Sequence, residues 1–269
     1  MSVRLIDAAG TAHAPINSHA VPRIVSLVPS LTELLCDLGL ARFLVGRTGF
    51  CIHPARTVAA IPKVGGTKDV NVEKIRRLAP THLIVNIDEN EKPTVDALAQ
   101  SIPHVIVTHP KTPRDNLALY RLLGGIFGAE REASRLCGEF ERAYAALAAR
   151  PARGTETVLY CIWKDPWMTV ARNTYIGAML GLIGWRQWDS GLPTAEHGSA
   201  RYPRFEWEPA LLAAVDEILL SSEPYRFTES DAAELARQTG KPVRLVDGEM
   251  FSWYGSRAIL GLRYLQAYL

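Results

Sequence analysis

Between residues 129 and 150, apolar positions recur every three or four residues. Ala129, Ala133, Leu136, Cys137, Phe140, Ala143, Tyr144, Leu147 and Ala148 share one face, and Glu130, Arg131, Arg135, Glu139 and Arg142 fill the other. The spacing predicts one unbroken helix over 129–150, roughly 33 Å long at helical rise. Gly128 offers a left-handed cap to the segment before it, and Pro151 stops the run.

On both sides of this helix the period switches to short β-rich runs alternating with helical ones. Runs 3–6 and 12–16 flank an Asp-Ala-Ala-Gly turn and predict a hairpin. Strands follow at 23–28, 43–46, 82–87 and 104–108. Between them a helix opens on Ser30-Leu31-Thr32-Glu33, read as a capping box, and ends at Gly39. Further helices are predicted at 71–78 with Asn71 as N-cap, at 92–100, and from a cap at 112–115 towards Gly124-Gly125. After the long helix come strands at 157–162, 217–221 and 243–246, with helices at 174–183, 205–214, 231–239 and 255–268. The rhythm predicts an α/β protein of two Rossmann-like lobes with mostly parallel sheets joined by one long helix. The expected division is an N-terminal lobe at 1–112, connecting helices at 113–150 and a C-terminal lobe at 151–269.

Open parallel sheets bind ligands beyond the carboxyl ends of their strands. In the first lobe those ends are residues 28–30, 47–51, 88–90 and His109; in the second they are 163–167, 222–226 and 248–254.

The aromatic residues are unevenly spread. All six tryptophans, Trp163, Trp167, Trp185, Trp188, Trp207 and Trp253, follow the long helix, as do Tyr175, Tyr202, Tyr225, Phe251 and Tyr254, whereas the chain up to His109 has only Phe43 and Phe50. Trp185, Trp188 and Trp207 are expected to pack beneath loops. Trp163, Trp167 and Trp253 fall at strand ends, where rigid amphipathic rings suit a large, flat, partly apolar ligand.

Composition narrows the function classes. The chain has 269 residues, 48% of them hydrophobic, and a formal net charge of +2 from 30 basic and 28 acidic residues. With the charges nearly balanced and no Lys/Arg run, no nucleic-acid partner is expected. No apolar run approaches the roughly 20 residues a bilayer requires, and no leader-like segment opens the sequence as written. A cytoplasmic protein is therefore expected, with a periplasmic one as the alternative should a leader be missing from the sequence. Cys36, Cys51, Cys137 and Cys161 are widely separated without a CxxC pair and are expected as buried thiols, with a Cys36–Cys51 pairing left open. His53, His82, His104, His109 and His197, with Asp88 and Glu89, lack the spacing of a local metal motif, so no metal site is expected. No G-x-S-x-G elbow, P-loop or G-x-G-x-x-G occurs, and no enzyme is expected.

RIVSLVPSLTELLCDLGL, the Cys-Ile-His-Pro loop and IPKVGGTKDVNVEKIRRLAPTHLIV resemble the first lobe of the solute-binding proteins of ABC importers built on a single long backbone helix, the helical backbone metal receptor type. Among these the chain is most similar to the cobalamin-binding branch and its ferric-siderophore relatives, over nearly its whole length. The resemblance implies that 129–150 is the backbone helix between the lobes. It implies as ligand cobalamin or a similar corrinoid in the interlobe cleft, with a ferric siderophore or other metal chelate as the alternative, and an enzyme acting on such a ligand as a third reading. The residues expected to meet it are Pro29, Ser30, Thr67, Trp163, Trp167, Tyr202, Arg226, Phe251, Trp253 and Tyr254. Cobalamin binders tend to place an aromatic where this chain has Gly65-Gly66-Thr67. Arg172, Arg201, Arg226 and Arg257 would suit the anionic oxygens of a siderophore. Glu73 and Glu208 match the acidic positions that meet arginines of an ABC permease. No cofactor is expected beyond the ligand itself, and the protein is expected to be monomeric. Trp253→Ala is expected to weaken ligand binding while leaving unfolding of the empty protein nearly unchanged.

Overall fold

Short runs rich in Val, Ile and Leu nucleate two sheets. The computed structural model describes residues 4–17, 21–150, 154–189, 191 and 201–269. An antiparallel hairpin of β1 (Leu5–Ile6) and β2 (Ala12–His13) comes first. Then β3 (Ile24–Ser26), β4 (Leu44–Arg47), β5 (His82–Asn86) and β6 (His104–Thr108) form an all-parallel sheet in the order β4-β3-β5-β6. The hairpin covers the edge of that sheet: Ala8 N donates to Val107 O at 2.9 Å, and Val107 N donates to Asp7 Oδ2 at 3.0 Å. The amide and carbonyl of Val107, which an edge strand would leave unpaired, are thereby used.

The helices of this part are α1 (Pro29–Asp37), α2 (Ala55–Val58), α3 (Val72–Arg77), α4 (Lys92–Ala99), α5 (Asp115–Phe127) and α6 (Glu130–Ala148). Asn71 caps α3 by accepting from Lys74 N at 2.8 Å, as its residue type predicts. Gly128 closes α5 in the left-handed conformation at φ 67°, so α5 runs through Gly124-Gly125 to Phe127 before α6 begins. The predicted inner face of α6 is largely realised: Ala129, Ala133, Leu136, Cys137, Phe140, Ala143 and Leu147 are buried. The helix is 19 residues long, frayed by a residue or two at each end relative to expectation.

After α6, β7 (Glu156–Trp163), β8 (Met168–Thr169), β9 (Trp185–Gln187), β10 (Glu217–Ser221) and β11 (Val243–Val246) build a second sheet in the order β11-β10-β7-β8, with β9 also paired to β7. All its pairings are parallel except β7 with β8. The helices here are α7 (Tyr175–Gly181), α8 (Pro209–Ala214), α9 (Glu229–Thr239), α10 (Gly248–Ser252) and α11 (Arg257–Leu265). By internal packing the chain divides into two compact units. One comprises residues 1–110, 114–141 and 254–257, the other residues 111–113, 142–253 and 258–269. The boundary falls within α6, and the segment Tyr254–Arg257 returns to the first unit.

Three local readings need correcting. Ser30-Leu31-Thr32-Glu33 is not a capping box: Pro29 occupies the first helical turn, Val28 is the N-cap and no side chain caps the helix. Glu33 faces Arg257 instead. Helix α8 begins at Pro209 rather than 205, because a proline favours the first helical turn and biases the residue before it towards extended backbone. α11 begins at Arg257 rather than 255, since Gly255 sits at φ 78°, outside the helical range.

Candidate functional site

Parallel pairing brings the carboxyl ends of β3, β4, β5 and β6 to one edge of the first sheet. The loops there are tied to one another. Asn90 Nδ2 donates to Leu27 O at 3.2 Å and to Thr67 O at 2.9 Å, and Gly49 N donates to Gly65 O at 2.7 Å. Thr32 Oγ1 donates to Ser26 Oγ at 2.9 Å and lies 3.1 Å from Cys51 Sγ, which Thr48 Oγ1 also meets at 3.1 Å. Cys36 and Cys51 are free thiols, and burial pushes Cys36 up to about 12.

Two of the predicted contacts, Pro29 and Ser30, are buried in the first turn of α1, where Ser30 Oγ has no hydrogen-bond partner among the described residues. Thr67 is half-buried in the loop held by Asn90. Tyr254 is buried, and its hydroxyl donates to Glu89 Oε1 at 2.5 Å. Its neighbours in sequence are fixed as firmly. Gly255 N donates to Asn116 Oδ1 at 2.6 Å, Tyr120 Oη donates to Gly255 O at 2.8 Å, and Arg257 pairs with Glu33. A Cβ on Gly255 would lie 3.0 Å from Ser30 O and 3.3 Å from Leu34 Cβ, in addition to the positive φ, so glycine is required where this segment crosses α1.

At Gly66, where the sequence has no aromatic, a ring from another loop lies close by. The Phe50 ring lies against Gly66, where a Cβ would stand 3.4 Å from Phe50 Cε2, and Phe50 is 62% exposed. Sequence reasoning passed over it because nothing local links residue 50 to residue 66. The Gly49–Gly65 hydrogen bond makes that link.

In the second unit, the carboxyl ends of β7, β10 and β11 also lie side by side. Trp163, 39% exposed, meets Tyr225 edge-on at 5.6 Å between ring centroids. Trp253 is 7% exposed, and its Nε1 donates to Glu223 Oε1 at 2.8 Å. Tyr202 is half-buried and Arg226 exposed. Trp167 lies in an aromatic cluster, stacked on Phe227 at 5.7 Å and edge-on to Trp207 at 5.1 Å. Phe251 has to be corrected: it is fully buried against Tyr160 and Tyr264 and offers no surface to a ligand. The short helix α10, invisible to periodicity at five residues, turns it inwards. Trp185 is buried in β9, with Nε1 donating to Glu156 Oε2, while Trp188 and Trp207 are partly buried against the core, meeting Phe205 at 6.3 Å and 5.0 Å.

The proposed anion-binding arginines are largely committed elsewhere. Arg172 Nε donates to Gln187 O at 2.7 Å and pairs with Asp189, Arg201 is buried with Nη2 donating to Asn173 O at 2.6 Å, and Arg257 holds Glu33. Glu73 and Glu208 are exposed, at the first turn of α3 and the N-cap of α8. At the strand ends of the first unit, His109 Nε2 lies 3.3 Å from Asp88 Oδ2. Among the described residues, no group of three or more His, Cys, Asp or Glu is placed to hold a metal ion; His197 lies outside them.

A family model described as periplasmic binding protein matches residues 24–240. The chain is 27% identical over 170 residues to the ABC transporter substrate-binding lipoprotein YvrC of Bacillus subtilis (strain 168), a match that takes in 60% of this chain and 53% of that protein. The chain thus spans about half the length of the curated relative it matches. Among solved structures it is similar to the periplasmic vitamin B12 binding protein BtuF of Vibrio cholerae, at TM-score 0.74 and 19% identity over 92% of this chain and 96% of that one. It is similar also to the periplasmic heme binding protein HutB of Vibrio cholerae, at TM-score 0.74 and 20% identity over 92% and 98%. The periplasmic heme-binding protein RhuT from Roseiflexus sp. RS-1 follows at TM-score 0.72 and 21% identity over 93% and 98%. At these identities the structures speak for the fold. The matches overturn the cytoplasmic location expected from the sequence: a periplasmic family and a lipoprotein relative point outside the cytoplasm.

Proposed function

The chain belongs to the periplasmic binding protein family, and on that premise we propose that it is the substrate-binding component of an ABC importer whose ligand is cobalamin or a similar corrinoid. It binds and releases this ligand without transforming it, at the strand-end loops, and works outside the cytoplasm. The observation that carries the reading is that each unit exposes an aromatic ring at its strand ends, Phe50 over Gly66 in the first and Trp163 beside Tyr225 in the second, while three of the four candidate arginines are bonded to protein groups. Exposed flat rings suit a flat macrocycle with an apolar face. A siderophore carrying several anionic oxygens needs guanidinium groups that are free to turn towards it, and Arg172, Arg201 and Arg257 are held by Gln187, Asn173 and Glu33. Relatives of the same fold include binders of vitamin B12 and of heme, both tetrapyrrole ligands.

Docking to a permease is assigned to Glu73 and Glu208. Both carboxylates are solvent-facing: the Glu73 side chain is 72% exposed, and Glu208 caps α8 by position without its side chain bonding the helix.

A titration of tryptophan fluorescence with cyanocobalamin, hemin and a panel of ferric siderophores, corrected for ligand absorbance, tests the ligand. Saturable quenching by cyanocobalamin at micromolar or lower concentration is expected. Quenching by hemin alone would transfer the site to heme, and quenching by a ferric siderophore alone would overturn the macrocycle reading.

A further inference from the structure

Glu223 stands at the carboxyl end of β10, between Ser222 and Pro224, in a place no sequence motif marks. Its Oε1 accepts two hydrogen bonds from consecutive residues, one from Ser252 Oγ at 2.5 Å and one from Trp253 Nε1 at 2.8 Å. The backbone beneath is fixed as well. Glu223 N donates to Ser221 Oγ at 3.3 Å, which also accepts from Tyr160 Oη at 3.0 Å, and Gly248 N donates to Ser222 Oγ at 2.8 Å. Contact here is so close that a Cβ on Gly248 would come within 2.4 Å of Ser221 Oγ and 2.6 Å of Glu223 Cγ. Hence α10 and the turn after it lie directly on the strand that carries Glu223. The indole of Trp253 has two torsions to fix; the packing around it restrains the ring, and the carboxylate fixes its polar edge.

We propose that Glu223 is a positioning residue for ligand recognition, holding the Ser252–Trp253 turn at the strand-end face through its carboxylate, so that proton uptake by Glu223 loosens the turn and weakens binding. This rests on the reading of that face as the ligand site. Titratable groups face the carboxylate from each element packed against it. Asp247 and Glu249 face it from the start of α10, Tyr160 from β7 through Ser221, and Tyr264 of α11 stands behind Asp247, whose N it meets at 3.1 Å. Burial and the charges of Glu249 and Asp247 hold the Glu223 carboxyl above the ordinary carboxylate range, against the lowering effect of its bonds from Ser252 and Trp253. A bond to a carboxylate is roughly twice as strong as one to a neutral acid, so protonation is expected to weaken ligand affinity on the order of five- to tenfold.

The test joins a readout on the empty protein to one on the complex. Tryptophan emission of the empty wild-type protein, titrated with acid, is expected to shift with a midpoint above the usual carboxylate range, and the shift should be absent in Glu223→Gln, which keeps an acceptor oxygen but cannot titrate. The dissociation constant for cyanocobalamin is expected to rise through the same midpoint in the wild type and to stay flat with pH in Glu223→Gln and in Trp253→Phe. The phenylalanine variant keeps a ring that fills most of the space and removes the donor, so it serves should the glutamine variant fold poorly. An emission shift that persists in Glu223→Gln, or an affinity whose pH dependence survives in either variant, overturns the proposal. If the emission shift behaves as expected but cyanocobalamin, hemin and ferric siderophores all fail to bind, the functional reading falls and the link to ligand affinity falls with it, while the hold of Glu223 on Trp253 stands.

Discussion

Arg257 grips Glu33 through two parallel hydrogen bonds, Nε to Oε2 at 2.7 Å and Nη2 to Oε1 at 2.6 Å, with both side chains buried. The pair joins the first helix of the chain to the start of the last. Such a pair is worth little against a well-packed apolar replacement, yet removing one partner strands a buried charge. Arg257→Ala is therefore expected to lower the free energy of unfolding by about 3–5 kcal/mol, read as a lower urea midpoint, whereas Glu33→Leu with Arg257→Leu should recover much of the loss. A wild-type midpoint in the single variant would show that the pair contributes nothing.

His82 stacks on His104 at 4.7 Å between ring centroids and meets Phe127 edge-on at 5.0 Å. Burial first, then the charges of His104 and His13, lower its pKa from 6.5 to about 4. The unfolded chain binds a proton at His82 near pH 6.5 while the folded chain does not, so between these values acid favours unfolding. The expected loss of stability begins below about pH 6.5 and is complete near pH 4. Urea midpoints across that window should fall more steeply for the wild type than for His82→Leu. Parallel curves would mean that the carboxylates carry the whole acid response.

The alternation of strands and helices was legible because each main strand is a short apolar run and the longer helices carry a 3.6-residue period, α6 most plainly. What escaped was short or non-local. β8, β9 and α10 have two, three and five residues, too few to set a period. Ser30 to Glu33 had the spelling of a capping box, but with Pro29 in the first turn the N-cap falls two positions earlier, at Val28, and Glu33 was claimed by a residue 224 places on. At the strand ends, residue type suggested Tyr254 and Trp253 but not the glutamates that hold them, Glu89 and Glu223, which no local spacing couples to those rings. Phe251 carried the same signal as Trp253, and both rings are buried; what sets Trp253 apart is its polar edge, which reaches Glu223.

Trp253→Ala bears on this point. The sequence alone suggested that the change would spare stability, but Trp253 is buried with its N–H bonded to Glu223. Truncation opens a cavity and leaves a half-buried carboxylate short of a donor. A loss of about 3–5 kcal/mol in unfolding free energy is expected, together with weaker ligand binding. Trp253→Phe, which fills most of the space, should cost less stability and so separate packing from recognition. Unfolding of Trp253→Ala indistinguishable from wild type would contradict the burial.

Glu73 and Glu208 supply a test of docking that avoids the ligand site. The Glu73 pair with Arg76 is exposed and spaced i,i+3, of a kind that contributes at most about 0.5 kcal/mol. Glu73→Ala with Glu208→Ala should therefore unfold like the wild type and bind ligand unchanged. Stimulation of ATP hydrolysis by a reconstituted partner permease is expected to disappear. Loss of ligand affinity in the double variant would show that these residues do not act in docking alone.

Phe50 and Trp163 decide whether exposed rings at strand ends serve a ligand. An exposed aromatic stabilises the empty protein little, since much of its surface stays in water either way. Phe50 is 62% exposed and rests on Gly66, so Phe50→Ala should leave the urea midpoint within about 0.5 kcal/mol of wild type. Trp163→Ala loses its edge contact with Tyr225 and should cost somewhat more. Burial against a corrinoid would remove most of the remaining exposed ring area from water, a contribution of about 1–3 kcal/mol for each ring. Each substitution is thus expected to raise the dissociation constant for cyanocobalamin by roughly 5- to 150-fold. The two effects should add in the double variant, because the rings stand on different units and share no partner among the contacts described. Should both single variants bind cyanocobalamin as the wild type does, the exposed rings have another purpose and the corrinoid assignment loses its main support.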